Sequence, residues 1–375
     1  MAEPLKHFFN ARLVRELAAD LERAHGEFDA KGFIRAGTRD LEDHELLGRA
    51  AHIAEALRTH LPEDFPAAAR VLTKSLRARP AAAEAEGLSS MSPFRYMPHT
   101  ILVARHGLSH FEESMALQYE LTQRFTAEFS IREFLEAHPE RTLKRLRIWA
   151  RDKNMHVRRL VSEGTRPRLP WAKRLREFQR DPSPVLELLE LLKDDPERYV
   201  QRSVANNLND IGKDHPGRLV QVCKAWLPGA GEGRAYIVRH ALRSLVKQGD
   251  GAALKLLGFG GSAKVAVGTV VFEQKRVPVG NTQRFSFELT NRGKAGEPLL
   301  IDYAVHFIKA NGEASPKVFK LTKVALGKNE SVTLKGRIRF QPMTTRKTYP
   351  GRHRVDLLVN GVAMPLGAFE VIAAR

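Results

Sequence analysis

The chain has 375 residues, enough for two or three domains, and its 43% hydrophobic and 28% charged residues are an ordinary globular balance. Its formal net charge of +18 says nothing about fold but predicts attraction to polyanions, nucleic acid first and an anionic membrane second. No apolar run approaches the roughly 18 residues of a transmembrane helix. The opening MAEPLKHFFNARLVREL lacks a signal-peptide core, and a single cysteine excludes an internal disulfide framework and zinc-finger spacings while suiting a reducing cytoplasm.

Residues 1–257 read as helical. LVRELAADLERAH, ELLGRAAHIAEALRTHL and DFPAAARVLTKSL carry apolar residues at three- and four-residue spacing, separated by polar or proline-containing breaks. AEAEGLSSMSPFRYMPHT reads as a loop, and GLSHFEESMALQYELTQRFTAEFSIREFLEAH as two helices. Asp, Pro and Gly then punctuate the chain in AHPERT, RDKN, QRDPSP, KDDPER and KDHPGR. Asp152 and Asp210 read as helix caps or turn residues. Cys223, in the amphipathic RLVQVCKAWL, reads as core.

A weak repeat runs through HVRRLVSEG from His156, YVQRSVANN from Tyr199 and YIVRHALRS from Tyr236, at intervals of 43 and 37 residues. Each begins with a ring and a β-branched residue and places an arginine fourth: Arg159, Arg202 and Arg239. Paired helices recurring at roughly 40 residues are the signature of HEAT or armadillo-type solenoids, whose units stack because none buries its apolar face alone. The shared register predicts that these arginines line one edge of a concave surface; solvated salt bridges with nearby acids are the alternative.

Glycines in LLGFGGSAKV predict a short linker at 258–262. Beyond it, over 263–375, AVGTVVFEQKRVPVG, QRFSFELTN, LLIDYAVHFIKANG, KVFKLTKVAL, SVTLKGRIRF and HRVDLLVNGVAM alternate apolar and polar residues between NRG, ANG and NG turns. Seven or so short strands predict an antiparallel immunoglobulin-like sandwich. This segment holds 19 Lys and Arg against 8 Asp and Glu, which suits a second DNA contact. Its basic loop RFQPMTTRKTYPGRH is a candidate for the minor groove.

The densest basic segment, residues 141–180, has 14 basic and 3 acidic residues. Lys and Arg at that density bind backbone phosphates without reading sequence. Glu163 stands alone there, flanked by Arg158, Arg159, Arg166 and Arg168. A carboxylate among guanidiniums stays ionised. It then serves either a sugar cation and an attacking water, or a helix salt bridge to Arg159 or Arg166. Trp171, after the turn in PRLPW, is either core or a ligand platform.

GLSHFEESMALQYELTQRFTAEFSIREFL, HVRRLVSEGTRPRLPWAKRL and YVQRSVANNLNDIGKDHP together resemble the AlkC-type DNA alkylation repair glycosylases. LIDYAVHFIKANGEASPKVFKLTKVAL resembles the immunoglobulin-like domain that some members carry. The likeness covers about residues 5 to 375. It implies a monofunctional glycosylase of HEAT-like fold that excises cationic lesions such as 3-methyladenine and 3-methylcytosine from double-stranded DNA, without enclosing the base in a deep pocket. It implies Glu128 in RFTAEF and Glu163 in LVSEG as catalytic carboxylates, with Trp171 against the damaged nucleotide. Asn206, Asn207 and Lys213 would hold the damaged strand, and the repeat arginines phosphates. A non-catalytic HEAT scaffold and a nuclease or lyase are the rival functions. A monomer in the bacterial cytoplasm is expected. The 14 histidines show no HExxH or His/Cys grouping, and no phosphate-binding glycine motif appears, so neither metal, ATP nor NAD is expected.

Overall fold

The computed structural model describes residues 4–78, 92–259, 263–294, 296, 298–341 and 347–373. The chain divides into two compact units, one of Met1–His215 with Ala225–Ala241, the other of Pro216–Lys224 with Leu242–Arg375.

The first unit is helical. Helices α1 (Ala11–Ala24), α2 (Ala30–Thr38), α3 (Leu46–His60) and α4 (Phe65–Ser75) form its start. Three of the four begin on a side-chain cap that satisfies an orphan amide of the first turn. Asn10 accepts from the Leu13 amide, Asp29 from that of Gly32 and Asp64 from that of Ala67. Part of the expected loop AEAEGLSSMSPFRYMPHT lies outside the described residues. The rest is helical: a 3-10 turn at Ser92–Tyr96 runs into α5 (Met97–His106). Phe94, Tyr96 and Met97 supply the apolar contacts that a polar linker lacks; Tyr96 and Met97 are buried, and Phe94 packs against Phe125.

Next come α6 (Phe111–Thr122), α7 (Ser130–Ala137), α8 (Pro139–Trp149), α9 (Met155–Gly164), α10 (Arg176–Arg180), α11 (Ser183–Leu192) and α12 (Arg198–Asp214). Each break expected from Pro or Asp is a helix boundary. Pro139 opens α8, and Asn154 caps α9 by accepting from the His156 amide at 2.9 Å. α13 (Pro216–Trp226) and α14 (Glu232–Ala241) follow. α9 packs on α12 and α12 on α14, so the three repeat segments are neighbours in space as a helical-repeat fold requires.

The second unit holds Pro216–Lys224 of α13, together with α15 (Arg243–Lys247), α16 (Gly251–Leu256) and eight strands. These are β1 (Val265–Phe272), β2 (Arg276–Pro278), β3 (Thr282–Asn291), β4 (Pro298–Ile308), β5 (Ala314–Ala325), β6 (Ser331–Arg339), β7 (Gly351–Val359) and β8 (Val362–Ile372). They form sheets ordered β1-β3-β6 and β2-β8-β7-β4-β5. Phe285, Phe287, Ile301, Tyr303, Val305, Ile338, Leu357 and Phe369 fill the space between them. All pairings are antiparallel except β2 with β8, because the expected first strand splits in two and its second half, β2, joins the other sheet. Asn360 and Gly361, both at positive φ, make the two-residue hairpin between β7 and β8. Within this unit Leu254 and Phe259 pack against Leu300 of β4. The helical residues from Leu242 thus belong to the compact unit of the sandwich, whereas the expected boundary fell at 257/263; Gly260 and Gly261 of the expected linker lie outside the described residues. Cys223 is buried core, its thiol pushed up to about 12 by that burial.

Candidate active site

The repeat register places rings and guanidiniums in layers. His156 meets Tyr199 edge to face with centroids 5.6 Å apart, and the Arg159 guanidinium lies 4.9 Å above the Tyr199 ring. One repeat on, Arg198 stands 3.9 Å over Tyr236, which stacks on His240. Such cation–ring contacts hold each helix in register with the next.

Arg159 also ties two glutamates together. Its Nη1 donates to Glu128 Oε2 at 2.9 Å, and its Nη2 lies 3.7 Å from Glu163 Oε1. Glu128, in the turn before α7, also accepts from Thr126 Oγ1 at 2.8 Å. Glu163, on α9 and only 6% exposed, accepts from Arg166 Nη1 at 2.7 Å and from Ser203 Oγ at 2.6 Å. Ser203 in turn accepts from Ser162 Oγ at 2.7 Å. The pairing continues through Arg166 Nε to Asp210 Oδ2 at 2.8 Å and from Lys213 Nζ to Asp210 Oδ1 at 2.8 Å. Glu128, Arg159, Glu163, Arg166, Asp210 and Lys213 therefore form one row of alternating charge.

Burial pushes the Glu163 carboxyl up, but the guanidiniums of Arg159 and Arg166 outweigh it and hold the group below the usual carboxylate value. Burial likewise opposes the charge on Arg159; Tyr199, Glu128 and Glu163 reverse that and hold it above its ordinary range. Glu163 is thus ionised at neutral pH. Gly164 permits the close packing that follows it, since a Cβ there would meet Ile131 Cγ2 at 2.5 Å.

Trp171 is 64% exposed and sits at φ 64°, a backbone region that a bulky residue enters only when its surroundings impose it. The imposing group is Arg132 on α7. Its guanidinium, in a residue 1% exposed, donates to the carbonyls of Gly164 at 3.0 Å, Arg166 at 2.8 Å and Lys173 at 2.5 Å. One side chain thereby clamps both ends of the turn that carries Trp171. A cavity of about 480 Å³ lies beside that ring, lined by Met97, Ile101, Phe129 and Glu133 among others; neither Glu128 nor Glu163 lines it.

The remaining expected site residues divide by exposure. Arg202 and Arg239 are exposed, and neither guanidinium makes an ion pair among the described residues. Arg158 is committed to Asp195, at 2.6 and 3.1 Å, and Arg168 to Asp214. Asn207 is fully buried, donating to the Ser162 carbonyl at 2.8 Å and to Thr165 Oγ1 at 3.0 Å, so it braces α9 against α12. Asn206 lies 3.2 Å from His240 Nε2. Asp152 is a turn residue as expected, accepting from the Asn154 amide at 2.7 Å. Asp210 is not: it lies inside α12, 1% exposed, within the charged row. Ser203 and Arg132 drew no notice in the sequence, though Arg132 stands within RFTAEFSIREFL.

Among the described residues no group of three or more His, Cys, Asp or Glu is placed to hold a metal ion, and no helix is long and apolar enough to cross a membrane.

A family profile described as DNA alkylation repair enzyme matches residues 125–243, which span the whole charged row. A second, described as the C-terminal Ig-like domain of the uncharacterised protein YhaZ, matches residues 266–373. Fold and site together define a helical-repeat DNA alkylation repair protein with an immunoglobulin-like domain. Uncharacterized protein YhaZ of Bacillus subtilis (strain 168) is 36% identical over 370 residues, 98% of this chain and 99% of that one. The solved Pseudomonas fluorescens alkylpurine DNA glycosylase AlkC, bound to DNA containing an abasic site analog, is 38% identical with a TM-score of 0.91, covering 99% of this chain and 100% of the other. The chain belongs to the AlkC-type DNA alkylation repair glycosylase family.

Proposed function

We propose that the protein is a monofunctional DNA glycosylase that hydrolyses the N-glycosidic bond of cationic alkylated bases, 3-methyladenine and 3-methylcytosine, in duplex DNA. The observation that carries this is the convergence of Glu128 and Glu163 on Arg159. Two carboxylates that share one guanidinium beside the basic segment 141–180 support their acting together on one deoxyribose.

The chemistry asks little of an acid. A base alkylated at N3 is already cationic; it leaves with the electron pair of the C1′–N bond and becomes neutral. The sugar passes through an oxocarbenium-like state. Fixed anions stabilise that charge, and a carboxylate oxygen orients the water that adds to C1′ and takes its proton. Preorganisation is supplied by Arg159, Arg166 and Ser203, which hold the carboxylates without reorientation at the moment of reaction. Trp171 contributes an exposed ring for the damaged nucleotide. Because neither glutamate lines the cavity beside Trp171, their placement suits a base that is not enclosed in a pocket.

Arg202 and Arg239 are exposed on the helical unit and available to phosphates, whereas Lys213, also exposed, is paired with Asp210. Arg158, Arg166 and Arg168 act through their acidic partners, and Asn206 and Asn207 by bracing neighbouring helices. The immunoglobulin-like domain adds a second basic surface. Residues 342–346 of its candidate minor-groove loop, Arg339–His353, lie outside the described residues.

The test is base release. Wild-type protein is incubated with methylated duplex, and free base is measured by chromatography. Release without strand breakage on a gel run without alkali supports a glycosylase; breakage supports a nuclease or lyase. DNA binding with no release supports a non-catalytic scaffold.

A further inference from the structure

The sandwich leaves two strand edges open on one side. β5 ends the five-stranded sheet and β6 the three-stranded one. A trough of about 620 Å³ lies there, spanned by the Tyr303 hydroxyl, which donates to the Arg337 carbonyl at 2.7 Å. Its floor is the half-buried ring of Phe319, which stacks on the core ring of Tyr303 with centroids 5.3 Å apart. Gly336 keeps the wall bare, since a Cβ there would come within 2.3 Å of the Phe285 ring.

Its rim carries Arg284, Lys317, Lys320, Lys335, Arg337 and Arg339, all exposed, and its lining includes no acidic residue. The acids nearby are accounted for. Glu273 lies 3.3 Å from Arg284, and Asp302, buried on β4, feels the charges of Lys320, Lys247 and Lys323. Lys335, Arg337 and Arg339 alternate along β6. Alternate residues of a strand stand about 6.8 Å apart, close to the interval between successive phosphates of an extended polynucleotide.

We propose that this trough binds a single strand of DNA, with phosphates along the β6 row and bases turned toward the Phe319 ring. A basic groove beside an aromatic ring is how single strands are held without sequence preference. The inference rests on the glycosylase reading only for the identity of its ligand. A cytosine methylated at N3 has lost its pairing edge, so a DNA substrate carrying it is locally unpaired, and a strand-binding channel on the same chain fits that substrate.

The experiment titrates the full-length protein into a fluorescein-labelled oligothymidylate and follows anisotropy at several salt concentrations. Lys335→Glu/Arg337→Glu, two exposed positions, should leave the melting temperature unchanged and weaken binding at least tenfold. Two lost phosphate contacts should also make the slope of log K against log salt shallower by about 1.4. Should the variant fail to fold, Lys335→Gln/Arg337→Gln carries the same expectation with a smaller loss. Unchanged affinity and slope would overturn the proposal. So would displacement of the oligomer by polyglutamate as effectively as by unlabelled single strands, which would mark a surface for an acidic protein. Base release from methylated duplex is measured separately on the wild type, so the two readings fail independently.

Discussion

Glu128 and Glu163 are held by the same guanidinium: Arg159 places Nη1 2.9 Å from Glu128 Oε2 and Nη2 3.7 Å from Glu163 Oε1. The two acids come from different elements, a turn and a helix, and Arg159 fixes their separation. Glu163 has a further guanidinium donor in Arg166 and a hydroxyl donor in Ser203. Neither acid is free to swing, which is the condition for electrostatic stabilisation without reorganisation.

The amide replacements test this directly. Glu128→Gln and Glu163→Gln should each slow single-turnover base release by about a hundred- to a thousandfold, while duplex affinity by anisotropy changes little. The double variant should lose less than the product of the two, because both acids act on one sugar through one arginine. A single variant retaining most of the wild-type rate would remove that residue from the mechanism.

Trp171 offers an optical reading. Of the three tryptophans, Trp149 and Trp226 are 5% and 3% exposed, against 64% for Trp171. Damaged duplex should quench intrinsic fluorescence in the wild type and leave Trp171→Phe nearly unaffected. Trp171→Ala should alter stability by no more than about 0.5 kcal/mol, as surface changes do, yet slow base release about tenfold if its ring contacts the nucleotide. A variant as active as wild type would make the exposed ring incidental.

Arg132→Lys retains a cation but cannot serve three carbonyls at once. Orphaned buried carbonyls cost about 1–3 kcal/mol, so unfolding should shift to lower denaturant. The turn should also loosen: acrylamide quenching of Trp171 should change in the folded state, and base release should slow. A loss of stability with quenching and rate unchanged would reduce Arg132 to a packing role.

His99, on α5 and 1% exposed, is held at about 3 by burial and by the Arg95 charge, with Asp20 opposing. Its unfolded value is 6.5. Between those values the unfolded chain binds a proton that the folded chain refuses, so the contribution to stability is full above about pH 6.5 and falls as the pH drops toward 3. The slope is about 1.4 kcal/mol per pH unit. Urea unfolding at about pH 5 and about pH 7 should show His99→Gln losing about 2 kcal/mol less stability between the two than the wild type. Equal sensitivity in both proteins would place a protonated His99 in the folded state.

What the sequence disclosed depended on whether a residue's partners lie near it in the chain. The stacked helices α9, α12 and α14 were legible because a ring and an arginine recur in fixed register, and the Asn360–Gly361 hairpin because only such a pair suits its backbone. Glu163 stood out as an acid among arginines. Glu128, by contrast, drew attention only through the resemblance, since Arg159 reaches it across 31 residues. Asp210 was misread as a cap or turn residue because its partner in the buried row, Arg166, lies 44 residues away. Arg158 and Arg168 looked like phosphate ligands until Asp195 and Asp214 were found against them. The split of β1 from β2 was invisible for the same reason: β2 owes its place to pairing with β8 at the end of the chain.

The row from Glu128 to Lys213 contains three acids and three bases, so its formal charges cancel. A polyanion approaching bare glutamates would be turned away; one approaching this row meets no such barrier, and the carboxylates are felt only at the distance of a bond being broken. The cancellation also constrains descent. Neutralising any one of its buried members strands an odd charge in the interior, so related chains should vary there by compensated pairs or keep the charge.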